Sequence, residues 1–440
     1  MAHSACFADG IGGFGLPAPN ATNIENFSRN QFAPLILAIV LTAAVMAAAS
    51  SFYPQWCVDC GYYLAIAQGK LAEVIQPFSS RFLHPFIARA LTRLGINTLG
   101  LAFALLAVGG LLVLIGFIAA MVRDRCQRLW ILAPLLFSPA LIDLYRFGFM
   151  PDLFHAALVA AFFWLMLRGW RIGMLAMIPL MYFTREATVL LSVITAVVLW
   201  RRKDRPTAIA VTCLTAISMI ISARVIAHGQ PNIHHLNPLL YTAGKIPFNF
   251  LKNIVGLEAW TNTFDHPAAW KTSLPRWLQF GNIREVGIRR FRLAAPLGML
   301  LYWLVSFGAL PLLLLRSLQQ RRRRAMSAGT PSSPTAIHIA LIYGLVSFAI
   351  SPLLGSTVAR FVVYGWPAFW IATIWFFCEE YSPTIGQLCA LIACHQALLW
   401  ITWLPSAFNS EIGGLLTALG LAAFLYALTW WHTGLISRKE

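Results

Sequence analysis

Apolar runs of about 18 to 22 residues recur along almost the whole chain, separated by short polar turns. As a helix, each is long enough to cross a hydrocarbon layer of roughly 30 Å. Helices satisfy their own backbone hydrogen bonds in lipid, and open sheets do not. The pattern therefore predicts an all-α polytopic membrane protein. Spans are expected near 33–53, 98–122, 129–144, 151–168, 172–184, 186–200, 207–227, 294–315, 337–355, 361–378, 383–404 and 411–431, about twelve in all. The pieces 172–184 and 186–200 are short, and one long bent helix is the alternative there. No repeat at a fixed period and no inverted halves are visible, so 33–440 reads as a single transmembrane domain. Residues 1–32, with their Gly, Asn and Pro, read as a disordered cytoplasmic lead-in. Three further stretches break the apolar pattern: two large segments, 54–97 and 228–293, and a basic loop, 316–336.

Charge orients this arrangement. Short basic turns hold Arg123, Arg125 and Arg128, then Arg168 and Arg171, then Arg201, Arg202, Lys203 and Arg205, then Arg316 with Arg321 to Arg324, and finally Arg438 and Lys439. With twelve spans, all of them fall on one side, which the positive-inside tendency makes the cytoplasm. Both termini are then cytoplasmic, and 54–97 and 228–293 face outward, as expected in a bacterial inner membrane. Most of the net charge of +17 thus reflects topology and contact with anionic headgroups. With 59% hydrophobic and only 11% charged residues, a soluble nucleic-acid binder is excluded, and no nucleic-acid partner is expected.

Against this background the outward polar residues stand out. Asp59 lies just beyond the first span, between Cys57 and Cys60, which form either a disulfide that stiffens the turn or two free thiols. Two interfacial helices are expected in this segment, one over 62–75 and one starting at His84-Pro85. The second places Phe86, Ile87, Ala90, Leu91 and Leu94 on one face and Arg89 and Arg93 opposite. Those arginines then meet headgroup phosphates, or simply snorkel. Ionisable residues at span ends are costly and mark candidate sites. Asp143, Arg146, Asp152 and His155 form one cluster, Arg185 and Glu186 a second, and Arg360 begins a third. All fall at the outward face with Asp59, although an acid neutralising a neighbouring arginine is the plainer reading of any one of them. In segment 228–293, Trp260, Trp270 and Trp277 suit an interfacial belt, and the loop as a whole suits a cap over a substrate cavity. His228, His234 and His235 lack the spacing and companion ligands of a metal site, so no metal site is expected. Glu379 and Glu380 read as solvated, His338 and His395 as packing residues.

The order of these features resembles the GT-C superfamily of membrane glycosyltransferases, which includes mannosyltransferase-like and aminoarabinose-transferase-like proteins. The residues that carry the resemblance are Asp59 with Tyr62 and Tyr63, Pro77-Phe78-Ser79-Ser80-Arg81 leading into His84-Pro85-Phe86, Pro151-Asp152, and Thr184-Arg185-Glu186. They cover about residues 33–200. The resemblance implies a first outer loop with interfacial helices, an acid there acting as base, and a polyprenyl-phosphate sugar donor. The chain departs from better-defined members in having one acid, not a pair, in that loop and no large soluble C-terminal domain.

The chemistry is consistent with this. Glycosyl transfer to a hydroxyl needs a carboxylate near the nucleophile, and a lipid-phosphate leaving group needs cations placed in advance. The expected catalytic acids are Asp59, Glu186 and Asp152. Arg81, His84, Arg89, Arg185, Arg360, Arg146 and Tyr63 are expected to bind the substrate. No nucleotide-binding signature is present and no cofactor is expected, the need for a divalent cation being left open. The expected partners are membrane lipids, a polyprenyl-phosphate sugar, and a lipid or glycan acceptor on the outer face. A flippase or transporter of a lipid-linked sugar and an O-antigen-type polymerase are the alternatives.

Overall fold

A computed structural model describes residues 33–57, 59–123, 132–232, 235–236, 238–261, 270–328, 333–354, 358–408 and 410–436. The lead-in 1–32, Arg125, Arg128, His234, Arg438 and Lys439 lie outside them. The chain is an integral membrane protein of helices. Among the described residues, five helices are long and apolar enough to cross a membrane: α4 (Leu99–Arg123), α9 (Arg205–Ile226), α13 (Thr335–Leu354), α15 (Ile385–Trp400, extended by a 3-10 stretch to Ala407) and α16 (Glu411–Gly434). The pair α11 (Ala294–Val305) and α12 (Leu310–Ala328), bent by 53° at the break between them, has the length and composition of a sixth. Shorter apolar helices are α1 (Ala33–Ala49), α6 (Asp152–Leu167), α7 (Arg171–Thr184) and α8 (Thr188–Arg201).

Helix α14 (Val358–Glu380) is the axis of the bundle. Every described side chain from Tyr364 to Cys378 is buried, as expected of a helix that is apolar all round. Trp370, Phe369 and Phe376 pack there against neighbours such as Phe307 and Tyr343. Helices α13 and α14 cross closely because glycine faces backbone. A methyl group on Gly344 would stand 2.7 Å from the Phe369 Cα, and one on Gly365 would stand 2.3 Å from the Ser347 Cβ. Small residues allow such an approach between membrane helices.

Residues 172–200 form the two separate short helices expected there, not one long bent helix, whereas one other expected span takes a different form. Arg171, at the start of α7, pairs with Asp204, just past the end of α8, at 3.5 Å. The two short helices therefore run antiparallel, and Arg185–Ala187 is the turn at their tip. The expected span 129–144 is broken: the described part is a 3-10 turn, Ala133–Leu136, and the short helix α5, Pro139–Arg146. Pro134 and Pro139 interrupt the helix, and Ser138 caps α5 by accepting a hydrogen bond from the Leu141 amide at 3.2 Å.

The segment 54–97, the first of the two expected to face outward, carries α2 (Cys60–Gln68) and α3 (Leu83–Arg93), with 3-10 turns at Leu71–Glu73 and Phe78–Ser80 between them. Helix α2 stops short of the expected 75 because Gly69 takes a left-handed φ of 88° as its cap. In α3, His84, Pro85 and Ala88 face the protein, whereas Phe86, Ala90 and Leu94 are exposed, an apolar stripe suited to the membrane interface.

The second outward segment departs from an all-helical fold. After α10 (Pro238–Phe250) come three antiparallel strands in the order β1-β3-β2: β1 Leu257–Thr261, β2 Trp270–Ser273 and β3 Glu285–Phe291. The two outward segments are stitched by backbone bonds. Gln76 N donates to Gln230 O at 2.9 Å, and Gln230 N donates to Val74 O at 3.0 Å.

At the opposite end, Glu379 and Glu380 are not the solvated pair read from the sequence. Arg321 meets Glu379 at 2.6 Å, Arg324 meets Glu380 at 3.2 Å, and Glu380 is buried. His395 is a satisfied packing histidine: Nδ1 accepts from Ala309 N at 3.0 Å and Nε2 meets Leu135 O at 3.2 Å.

Gly344→Ala should force α13 from α14 and cost about 1–3 kcal/mol. Thermal unfolding in detergent measures this, and an unchanged midpoint would show that the crossing tolerates a methyl group.

Candidate functional site

At one end of the bundle, α2, α3, α6, the α7–α8 turn, α10 and α14 bring their polar residues together. The turn presents Arg185 and Glu186 in opposite directions. Arg185 Nη2 donates to Asp152 Oδ1, at the start of α6, and the Tyr364 hydroxyl of α14 donates to the same oxygen at 2.8 Å. Both charged side chains are almost fully enclosed, at 3% and 2% exposed. The Arg185 guanidinium also lies 5.3 Å from the centre of the Tyr364 ring. Behind the turn, Thr188 donates to Arg185 O at 2.8 Å. Its one proton being used, it accepts from His155 Nε2 at 3.1 Å, which leaves His155 Nδ1 as a buried acceptor without a partner.

Glu186 turns toward the first outward segment. Arg81 Nε donates to Glu186 Oε2 at 2.9 Å, and Nη2 donates to Oε1, a two-pronged pair. Arg81 Nη1 donates to the Tyr63 hydroxyl at 3.1 Å, and the guanidinium lies 5.4 Å from the centre of the Phe78 ring. Burial opposes ionisation of Glu186, but the charge and hydrogen bonds of Arg81 outweigh it and hold the carboxyl down to about 2. With 37% of its side chain open, water screens part of that attraction. Burial also opposes the charge on Arg81, and Glu186 again outweighs it, leaving the guanidinium fully charged.

Asp59 is the half-buried residue directly before α2, and its carboxylate makes no capping bond to that helix. Cys57 and Cys60 are disulfide-bonded on either side of it. The electrostatic neighbours of Asp59 come from α10. Tyr241 and Lys245 both feel the Asp59 charge, and Lys245 also feels Arg81, Glu186 and Arg185. The Lys245 ammonium sits 4.4 Å from the centre of the Tyr241 ring and makes no ion pair among the described residues. Burial, with Arg81 beside it, lowers the pKa of Lys245 from the usual lysine value.

The expected residues thus divide. Asp59, Tyr63, Arg81, Asp152, Arg185 and Glu186 share one neighbourhood. His84 lies behind it, buried against Phe103 and Phe154 at 5.2 and 5.5 Å between ring centres. Burial drives its pKa down to about 3 despite Asp152, so the ring is neutral. Arg89 rests on Gly69, where a methyl group would come within 2.7 Å of its guanidinium. Arg146 is drawn to Asp143 at 3.9 Å and to Ala48 O at 3.4 Å, toward the end of α1. Arg360 falls in the first turn of α14, and its side chain lies outside the described residues. Among the described residues, no group of three or more His, Cys, Asp or Glu side chains is gathered to hold a metal ion.

Sequence reasoning missed Tyr364, Tyr241 and Lys245. Lys245 had a signal, as a lone cation in the apolar stretch TAGKIPFNF, with Tyr241 one helical turn before it. Tyr364 lies one turn beyond Arg360 and is otherwise indistinguishable from the aromatic packing around it.

No family model matches the chain, and no curated protein does. Among solved structures it is similar to the crystal structure of ArnT from Cupriavidus metallidurans bound to undecaprenyl phosphate, with a TM-score of 0.44 and 14% identity over 91% of this chain and 76% of that one. The roles assigned to the site therefore rest on this chain's own residues.

Asp152→Ala strands the Arg185 charge in a dry setting and should cost about 3–5 kcal/mol. Asp152→Leu combined with Arg185→Met should be milder than either single change, and thermal midpoints of the three variants check this. A second expectation concerns acid. Because Glu186 titrates lower folded than unfolded, its contribution is complete above its ordinary value of 4.5 and is lost as pH falls toward about 2. The midpoint of the wild type should fall more steeply than that of Glu186→Gln below pH 4.5, and parallel curves would contradict the pairing.

Proposed function

We propose that this protein is a membrane glycosyltransferase. It moves a sugar from a polyprenyl-phosphate donor to a hydroxyl of a lipid or glycan acceptor at the outer face of a bacterial inner membrane. The observation that carries the reading is that Lys245, from residues 228–293, lies within electrostatic reach of Asp59, from residues 54–97, of the paired Arg81–Glu186 and of Arg185.

The geometry divides the expected roles. Asp152 and Glu186 each hold an arginine, and a carboxylate kept at about 2, as Glu186 is, makes a poor base near neutral pH. In this reading Asp59, the acid of the first loop, is the general base: it takes the proton of the acceptor hydroxyl as that oxygen attacks the anomeric carbon. The bond from that carbon to the phosphate oxygen breaks, and negative charge grows on the departing polyprenyl phosphate. Lys245 is the cation beside Asp59 that no carboxylate pairs with among the described residues, so it takes that charge. Arg81 and Arg185 are positioning residues: they fix Tyr63, Tyr364 and the α7–α8 turn. The resemblance of the N-terminal half to the GT-C superfamily supports the same assignment of donor and base.

The test is incubation of purified protein with radiolabelled polyprenyl-phosphate sugars and a membrane lipid extract. Transfer should fall about 10²–10⁴-fold in Asp59→Asn, the usual worth of a general base, while donor binding persists. Full turnover by Asp59→Asn would remove the residue from the chemistry, and no transfer by the wild type would fit a transporter. Lys245→Ala should weaken donor binding as well as turnover, and unchanged affinity would overturn its phosphate role.

A further inference from the structure

Away from this site, at the opposite end of α8, the antiparallel helices α8 and α9 enclose an apolar cleft of about 430 Å³. Clefts that hold ligands run from roughly 300 to 1,000 Å³. Val197 and Trp200 form one wall, Ile209 and Cys213 the other, and Arg201 stands at the mouth. Val197, Trp200 and Ile209 are about half exposed, so in a membrane this cleft is filled by lipid.

The mouth is not neutral. Arg201, Arg202, Lys203 and Arg205 are exposed within five consecutive residues. The one acid among them, Asp204, is taken by Arg171 at 3.5 Å and by the Thr207 hydroxyl at 2.9 Å. Arg202 meets His338 Nδ1 at 3.1 Å, and Arg205 lies 5.3 Å from the centre of the Trp200 ring. Arg201, which lines the cleft itself, makes no ion pair among the described residues, and neither does Lys203. Lys203 is held in a left-handed conformation at φ 66°, which fixes the turn that presents it.

An apolar slot under unneutralised cations matches one kind of molecule, with a hydrocarbon chain below and a negative headgroup above. A soluble anion would leave the slot unused, and a neutral lipid would leave the cations unanswered. We propose that the α8–α9 cleft binds an anionic phospholipid from the leaflet at this basic end, with an acyl chain along Val197, Ile209 and Cys213 and the headgroup phosphate on Arg201 and Lys203. This site does not depend on the transferase reading, because none of its residues belongs to the site around Asp59.

A cysteine at the exposed Val193, one helical turn from Val197 and outside the cleft lining, supplies the probe. Cys6, Cys126, Cys213, Cys378, Cys389 and Cys394 are replaced by alanine, the Cys57–Cys60 disulfide is kept, and Val193→Cys is labelled with bimane. The protein is placed in phosphatidylcholine nanodiscs carrying the same minor fraction of either brominated phosphatidylglycerol or brominated phosphatidylcholine. The anionic lipid should be enriched at the label about fivefold for each cation it meets, as basic side chains near anionic headgroups give, and should quench correspondingly more. Arg201→Gln with Lys203→Gln should bring quenching down to that of phosphatidylcholine. Ile209→Trp, which fills the cleft and leaves every cation in place, should abolish the excess as well. Equal quenching by the two lipids, or an excess that survives either variant, would overturn the site.

Discussion

A charge buried at the end of a membrane bundle must be answered by its opposite, and the Arg185–Asp152 pair is where this chain meets that demand. The two side chains are almost wholly enclosed, and Tyr364 completes the coordination of Asp152. Three separate elements, α6, the α7–α8 turn and α14, meet at Asp152, and losing its carboxylate would strand the Arg185 charge away from water. The neighbouring Arg81–Glu186 pair extends the constraint to the first outward segment. Because Arg185 and Glu186 are adjacent in a tight turn, they reach in opposite directions and couple the membrane core to the interfacial helices.

This coupling gives the site its division of labour. Ion pairs that neutralise each other make a stiff floor and leave little free charge for a ligand. Asp59 beside the disulfide turn and Lys245 on α10 lie within electrostatic reach of each other. In the proposed reaction the first removes a proton and the second meets the departing phosphate. Binding of an anion would relieve the lysine of its burial cost, so the site is arranged to gain from the ligand it lacks on its own.

Much of this was legible in the sequence because membranes make sequence signals strong. Apolar run length marked the apolar helices, although only five, or six with the bent pair, of the about twelve expected spans are long and apolar enough among the described residues, and the rarity of charge made Asp59, Asp152, Arg185 and Glu186 visible as a group. What was not legible follows from pairing. The sequence could not show that Glu186, one of the acids it marked as a candidate catalyst, pairs with Arg81 across 105 residues. Nor could it show that Arg89 packs over Gly69 or that Arg146 is drawn to Asp143 and Ala48. The 129–144 stretch looked like a span because hydropathy ignores the backbone limits that Pro134 and Pro139 impose. The small sheet escaped notice because β1 and β2 are only five and four residues long in a loop rich in proline and tryptophan.

The central claim is that two outward segments, distant in sequence, build one phosphate site over a pre-neutralised floor. The most direct measurement is a cryo-electron microscopy map of the protein with polyprenyl phosphate bound. The account predicts the phosphate within hydrogen-bond distance of the Lys245 ammonium, with Asp59 facing the same space and both arginine–carboxylate pairs intact beneath. A phosphate seated away from Lys245, or one that displaces Glu186 from Arg81 to take its place, would contradict it.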